Sequence, residues 1–296
     1  MRRTFLVIGL LAAPVLGGHV RALEVHGRLV DAGGHRLWIS CDGSATPTVV
    51  IDVGLGADPR EWTRVVEGLR HDARVCQYER AGYGASEPGP FPRDAKREGE
   101  DLVKLLAAAG EHPPYLLVGH SLGALDACVL AGAHRDLLAG LALLHPLPLG
   151  WISGKEGAKV RAFRESQRAQ YEHVARQMLA SPYAADRSRA ARFQAMASEE
   201  EMLLRESAGQ AARVTSLGSL PLLVVGAARP SPILAADATT YQKKAIEEGR
   251  RLAALSTNGK LVVLEESGEM MQRDAPEKVV DALRELLARA RAARPR

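Results

Sequence analysis

Gly119-His120-Ser121-Leu122-Gly123 stands between an apolar, strand-like run, Tyr115 to Val118, and a helical run, Leu122 to Leu130. Glycine on both flanks lets the backbone turn sharply and lifts the serine hydroxyl above the strand end, at the N-terminus of the following helix. A serine so placed can act as a nucleophile. The pentapeptide alone is a moderate signal, but the strand before it and the helix after it are the context the chemistry demands.

On both sides of this elbow β-rich runs alternate with amphipathic helices, an order that predicts an α/β fold with a mostly parallel sheet and helices on both faces. Leu23 to Val30 and His35 to Cys41, joined across Gly33-Gly34, read as an opening antiparallel hairpin. Thr48 to Val53, Arg74 to Tyr78, Tyr115 to Gly119, Gly140 to Leu144, Pro221 to Val225 and Leu261 to Leu264 read as later strands. Their nearly continuous Val, Leu and Ile content suits strands buried on both faces. Asp274 to Ala290 carries Val279, Val280, Leu283, Leu286, Leu287 and Ala290 at helical spacing, behind an aspartate cap and an early proline. That helix should pack on the sheet.

From Pro146 to Leu220 the alternation stops: the stretch is helical, charge-rich and strandless, and too long for an ordinary loop. It is expected to form a helical cap over Ser121, with Glu199-Glu200-Glu201 as a solvated face. The expected organisation is a signal peptide over residues 1–22, a core made of residues 23–145 and 221–296, and a cap over residues 146–220.

The chain has 296 residues, 46% of them hydrophobic, enough to bury a full core. Lys+Arg 39 against Asp+Glu 35 gives +4, and the basic residues are scattered without aromatic interleaving, so nucleic acid is not an expected partner. Met1-Arg2-Arg3 ahead of the apolar run Phe5 to Leu16, with Val20-Arg21-Ala22 as a small-residue cleavage site, has the layout of a secretory signal removed after Ala22. Arg2-Arg3-Thr4-Phe5-Leu6 also resembles a twin-arginine signal, and the export route stays open. The run is shorter than the roughly 20 apolar residues of a spanning helix, so no stable membrane span is expected after signal removal. The expected location is periplasmic or secreted.

Cys41, Cys76 and Cys128 show no metal-like spacing, and an odd number cannot all pair within one chain. Buried free thiols are expected. No metal or other cofactor is expected, because no His/Asp/Glu cluster has ligand spacing. Nucleotide binding through Gly54-Leu55-Gly56 is set aside, since Pro59 stands where a dinucleotide fingerprint needs its third glycine. Nothing in the pattern fixes an oligomeric state.

With the elbow, two further segments occur in a recognisable order. Val49-Val50-Ile51-Asp52-Val53-Gly54-Leu55-Gly56, with Trp62 downstream, looks like a strand leading into an oxyanion loop, with Asp-Val where His often precedes Gly. Tyr78-Glu79-Arg80-Ala81-Gly82-Tyr83-Gly84-Ala85-Ser86 looks like an arginine-glycine-x-glycine-x-serine turn, with Glu79 in place of the usual Asp. On these residues the chain resembles the α/β-hydrolase fold superfamily over essentially everything after the signal, and the insertion falls where that superfamily carries its cap. The resemblance implies Ser121 as nucleophile and the backbone N–H groups of Leu55 and Leu122 as the oxyanion hole, aimed at charge developing on a carbonyl oxygen.

A serine hydroxyl needs a neighbouring base, and the base needs a third group to orient it. The superfamily takes its base from the loop after the last strand. Here that loop, Glu266 to Pro276, resembles the Ser-Gly-His segment with Glu269 at the His position, and no histidine follows His173. Arg229 stands near the position where the superfamily often has its Asp. Some relatives carry the acid at the end of the strand before the cap, where this chain has His145. The expected relay is therefore Ser121, His145 as base and Glu269 orienting it, with histidine and carboxylate exchanged. His120, a frequent elbow residue, is expected to point away from the serine.

Two functions follow from this reading. One is a serine hydrolase of ester-like bonds in a small or acyl-chain substrate, working through an acyl-serine intermediate. The other is a catalytically inactive pseudo-hydrolase that keeps fold and pocket to bind a small molecule. Covalent labelling of Ser121 by a fluorophosphonate separates them, because labelling needs an activated serine.

Overall fold

The computed structural model describes residues 27–230 and 238–293, so the signal read over residues 1–22 and the first residues of the opening hairpin lie outside them. Eight strands form one sheet: β1 Arg28–Asp31, β2 Arg36–Asp42, β3 Thr48–Asp52, β4 Val75–Tyr78, β5 Tyr115–His120, β6 Leu138–Leu144, β7 Leu222–Ala227 and β8 Gly259–Leu264. Their order across the sheet is β1-β2-β4-β3-β5-β6-β7-β8. β1 and β2 pair antiparallel, as do β2 and β4, and every pairing from β4 to β8 is parallel. The fold is the expected α/β sheet.

Strand alternation decides which layer each side chain joins. In β5, Tyr115 and Leu117 enter the apolar layer shared with helices α2 (Ala95–Ala108) and α3 (Leu122–Ala133), whereas Leu116 and Val118 enter the opposite layer. That second layer is closed by α1 (Thr63–Leu69) and by the C-terminal helix, through Val279, Leu283, Leu286 and Leu287. Because β5 is buried on both faces, its continuous apolar run was needed, and the elbow at its end is held at the middle of the sheet.

Between β6 and β7 the chain is helical: α4 (Leu149–Ser153), α5 (Ala158–Ala180), α6 (Ala184–Met202), a π-helical turn at Leu203–Ser207 and α7 (Ala208–Ala212). α5 and α6 pack on each other, with Tyr171 and Phe193 ring centroids 6.4 Å apart. After β7 come α8 (Ala238–Ala253), α9 (Met271–Asp274) and α10 (Pro276–Ala292). α10 buries the apolar positions expected of it, but Asp274 does not cap it: Ala275 is the N-cap, and Asp274 accepts the Gly268 N–H at 2.8 Å. None of the described helices is long and apolar enough to cross a membrane.

The expectation for the cysteines needs correction. Cys41 and Cys76 face each other across the antiparallel pair β2 and β4 and are joined in a disulfide, while Cys128 is free and buried. The two are 35 residues apart, and strand register, which periodicity does not encode, makes them neighbours. Among the described residues, the group of His, Cys, Asp and Glu close enough to hold a cation is Cys41, Cys76 and Glu111. Its sulfurs are bonded to each other and Glu111 is bonded to Arg74, so this group offers no free ligand set.

Candidate active site

Ser121 occupies φ 53, ψ −113, a backbone conformation that costs a non-glycine residue about 1–3 kcal/mol and persists because its surroundings fix it. Its N–H donates to Leu144 O at 3.0 Å, tying the elbow to the end of β6. Both elbow glycines are required by close approach. A Cβ on Gly119 would lie 2.2 Å from Gly123 O, and one on Gly123 would lie 2.4 Å from Asp52 O.

Ser121 faces a cavity of about 300 Å³ lined by Leu55, Leu122 and Glu269 and, from the helical segment between β6 and β7, by Phe163, Tyr171 and Leu203. Leu122 opens α3, so its N–H is among the donors that have no partner within the helix, at the positive end of the helix dipole. The paired groups Arg164 and Glu200 also line the cavity, with Arg164 Nη1 3.0 Å from each carboxylate oxygen. The wall is thus part apolar and part polar, as small-molecule sites are.

The structure brings together two of the three residues of the expected relay. Ser121 Oγ donates to Glu269 Oε1 at 3.5 Å, with no ring between them. His145 is elsewhere engaged: it is fully buried at φ 46, its N–H donates to Val225 O at 2.7 Å, and its Nε2 lies 3.2 Å from Gln242 Oε1. Gln242, on α8, is itself held by a hydrogen bond to the Ala227 carbonyl, and the His145 ring stacks on Tyr241 at 6.4 Å. In this arrangement the carboxylate meets the serine directly, and Gln242 and Tyr241 of α8 hold the His145 ring. No hydrogen bond joins His145 to Ser121 or Glu269 among the described residues.

His120 does more than point away. Its Nε2 donates to the Glu269 carbonyl at 2.9 Å, and its ring meets Trp62 edge-on at 5.7 Å. Burial pushes the pKa of His120 down, against the pull of the Glu269 carboxylate, which keeps the ring a neutral donor. The loop carrying Glu269 is pinned a second time where Asp274 accepts from Gly268. Arg229, expected near the position of an acid, lies 3.4 Å from Asp274 and is mostly exposed.

Beneath the site lies an ionic cluster that sequence reasoning missed. Arg80, 2% exposed, lies 3.0 Å from Asp52, 3.2 Å from Asp126 and 3.2 Å from Glu199. Glu199 and Glu200 are buried, contrary to the solvated face expected for this triplet, because Arg80 and Arg164 neutralise them. Arg80 also donates to Gly54 O at 3.0 Å, and Tyr83 donates to Glu199 at 2.6 Å while accepting the Gly56 N–H at 3.3 Å. The members of the cluster lie on separate elements far apart in the chain, so no local spacing in the sequence signals this set.

The profile of the Alpha/beta hydrolase family matches residues 49–282 of this chain. Among curated proteins, the chain is 33% identical over 104 residues to "Uncharacterized protein YqjL" of Bacillus subtilis (strain 168), covering 35% of this chain and 41% of that protein. It is 32% identical over 110 residues to "Karrikin insensitive 2 receptor IA" of Petunia hybrida, covering 36% of this chain and 40% of that protein. The chain spans less than half the length of these curated relatives. Among solved structures, the enol-lactonase from Burkholderia xenovorans LB400 superposes with a TM-score of 0.64 at 20% identity, covering 88% of this chain and 100% of that one.

Proposed function

Since the chain belongs to the alpha/beta hydrolase family, we propose that it hydrolyses ester-like bonds in a small or acyl-chain substrate, with Ser121 as nucleophile and the Glu269 carboxylate as its proton acceptor. The observation that carries this reading is the direct bond from Ser121 Oγ to Glu269 Oε1 at a strained elbow opening on a mixed apolar and polar cavity. At 3.5 Å the bond is long, as catalytic hydrogen bonds often are before substrate tightens them.

In the proposed reaction Oγ attacks the substrate carbonyl carbon while its proton passes to Glu269. The tetrahedral oxygen carries the charge, and the N–H groups of Leu55 and Leu122 stabilise it. Collapse breaks the bond to the leaving oxygen, which takes the proton back from Glu269, and leaves an acyl-serine. Water then attacks the acyl carbon as Glu269 takes its proton, and the acyl–Oγ bond breaks to release the acid while Glu269 returns the proton to Ser121 Oγ. The disulfide between Cys41 and Cys76 supports export to an oxidising compartment, where such bonds persist.

A second reading has its own observation. Gln242 and Tyr241 hold the His145 ring, no hydrogen bond joins an imidazole to Ser121 Oγ among the described residues, and a relative bears the name of a receptor. On that reading the cavity binds a small molecule without turning it over. A fluorophosphonate probe decides between them. Stoichiometric adduct on Ser121 in the wild type, absent in Ser121→Ala, together with release of p-nitrophenol from a short-chain ester, is the expected result. Neither adduct nor release from a folded wild type would leave the binding reading standing. Ser121→Ala should keep the wild-type melting temperature, because the serine side chain faces the cavity and both residues are confined alike at positive φ.

A further inference from the structure

The loop Gly54-Leu55-Gly56 carries one of the two proposed oxyanion donors, and groups outside it hold it at three points. Arg80 donates to Gly54 O at 3.0 Å, Tyr83 accepts the Gly56 N–H at 3.3 Å, and Arg192 donates to Gly56 O at 2.5 Å. Arg192 belongs to α6, and so does Glu199, which accepts from Tyr83 at 2.6 Å and lies 3.2 Å from Arg80 Nε. Met196, between them on the same helix face, fills the space over Gly56: a Cβ there would meet its Cε at 2.8 Å. Gly56 has φ +67, so the loop takes a conformation that few residues other than glycine hold, and its shape depends on these outside contacts.

We propose that Glu199 and Tyr83 are positioning residues for the oxyanion loop, through which the seating of α6 on the sheet sets the orientation of the Leu55 N–H. This inference rests on the serine-hydrolase reading of the site. Neither residue need touch the reacting atoms. Glu199 fixes the Tyr83 hydroxyl as a donor to itself, which turns the phenolic oxygen's acceptor side to Gly56, and it orients the guanidinium whose other edge holds Gly54. An oxyanion donor stabilises only charge that develops in the transition state, so a loop that drifts should slow turnover and leave ground-state binding nearly unchanged. The arrangement also makes α6 a reporter of occupancy. Glu199 and Glu200 of α6 line the cavity beside Phe163 and Tyr171 of α5, so a substrate that seats α6 also fixes the donor that acts on it.

Two variants test the proposal. Glu199→Gln still accepts from Tyr83 but turns an amide NH₂ or a neutral oxygen toward Arg80, and Tyr83→Phe removes the acceptor for Gly56 while keeping the ring. In the full chain, hydrogen exchange of the peptide spanning Val53 to Ala57 should quicken about tenfold in both variants, with melting temperatures near that of the wild type. On an aryl ester, kcat should fall about tenfold with KM within about twofold, a smaller loss than removing an oxyanion donor outright. Unchanged exchange in this peptide overturns the proposal whether or not the wild type turns over. Faster exchange with unchanged kcat in an active wild type overturns it too, as does a loss confined to KM. If the wild type neither turns over nor takes the fluorophosphonate, the serine-hydrolase reading fails, and exchange alone judges whether α6 holds the loop.

Discussion

Arg80→Met is expected to destabilise the protein by about 3–5 kcal/mol at pH 8, the usual consequence of removing one partner from a buried ionic group, and by clearly less at pH 5. The reason is the imbalance around the guanidinium. Asp52, Asp126 and Glu199 all converge on Arg80, and all four side chains are buried. Burial pushes the Asp52 carboxyl up to about 6 and the Glu199 carboxyl up to about 7, and holds Asp126 well above the usual carboxylate range, with Arg80 opposing burial at each. In the unfolded chain the same groups lose their protons near 3.8 for Asp and 4.5 for Glu. The folded state thus binds more protons between those values and about pH 7, and stability falls as pH rises through that window. Without Arg80 the ionised forms lose their counter-charge, whereas the protonated forms lose little, so the penalty should grow with pH. Urea denaturation of wild type and variant at both pH values measures this. A loss below about 1 kcal/mol at pH 8, or a larger loss at pH 5 than at pH 8, would show that the cluster is not held by Arg80.

What could be read in advance from the chain was whatever depends on neighbours in sequence. The strands from Thr48 onward, the glycine-flanked elbow and the apolar stripe of α10 are local patterns, and the structure places them as expected. The disulfide, the Arg80 cluster and the partner of His145 depend on residues far apart in sequence, and no local pattern reports them. Glu199 lies 116 residues from Tyr83, and Gln242 lies 97 from His145. Three consecutive glutamates look like a solvated face until arginines from other elements, Arg80 and Arg164, neutralise Glu199 and Glu200. The departure at Glu269 is visible in the sequence, but which group meets Ser121 in its place depends on where the His145 ring turns. In the structure the turn at His145, another feature that no local pattern reports, puts its ring against α8.

Glu269→Gln should lower turnover of an activated ester by about 10²–10⁴-fold, the range that general acid–base groups contribute, while His145→Asn should leave it within a few-fold. Glutamine keeps the size of the side chain and can still accept the Ser121 hydroxyl's hydrogen bond, but it cannot carry the proton away. The loss should therefore appear in kcat more than in KM, because the hydrogen bond of the resting state survives and the proton acceptor does not. The carbonyl of residue 269 stays bonded to His120 and Gly268 stays bonded to Asp274, so the loop should keep its place in the variant. Fluorophosphonate labelling gives an independent readout, for it uses the same hydroxyl and the same proton acceptor without needing a second water-dependent step. Its rate should fall together with turnover. Full activity in Glu269→Gln would remove the carboxylate from the mechanism, and a large loss in His145→Asn would restore an imidazole that reaches the serine only after the site rearranges around Gln242. Retention of turnover in Ser121→Ala with loss in Glu269→Gln would point to the carboxylate itself as the attacking group. The variants separate these chemistries, and the contact that motivates them is the 3.5 Å hydrogen bond from Ser121 Oγ to Glu269 Oε1.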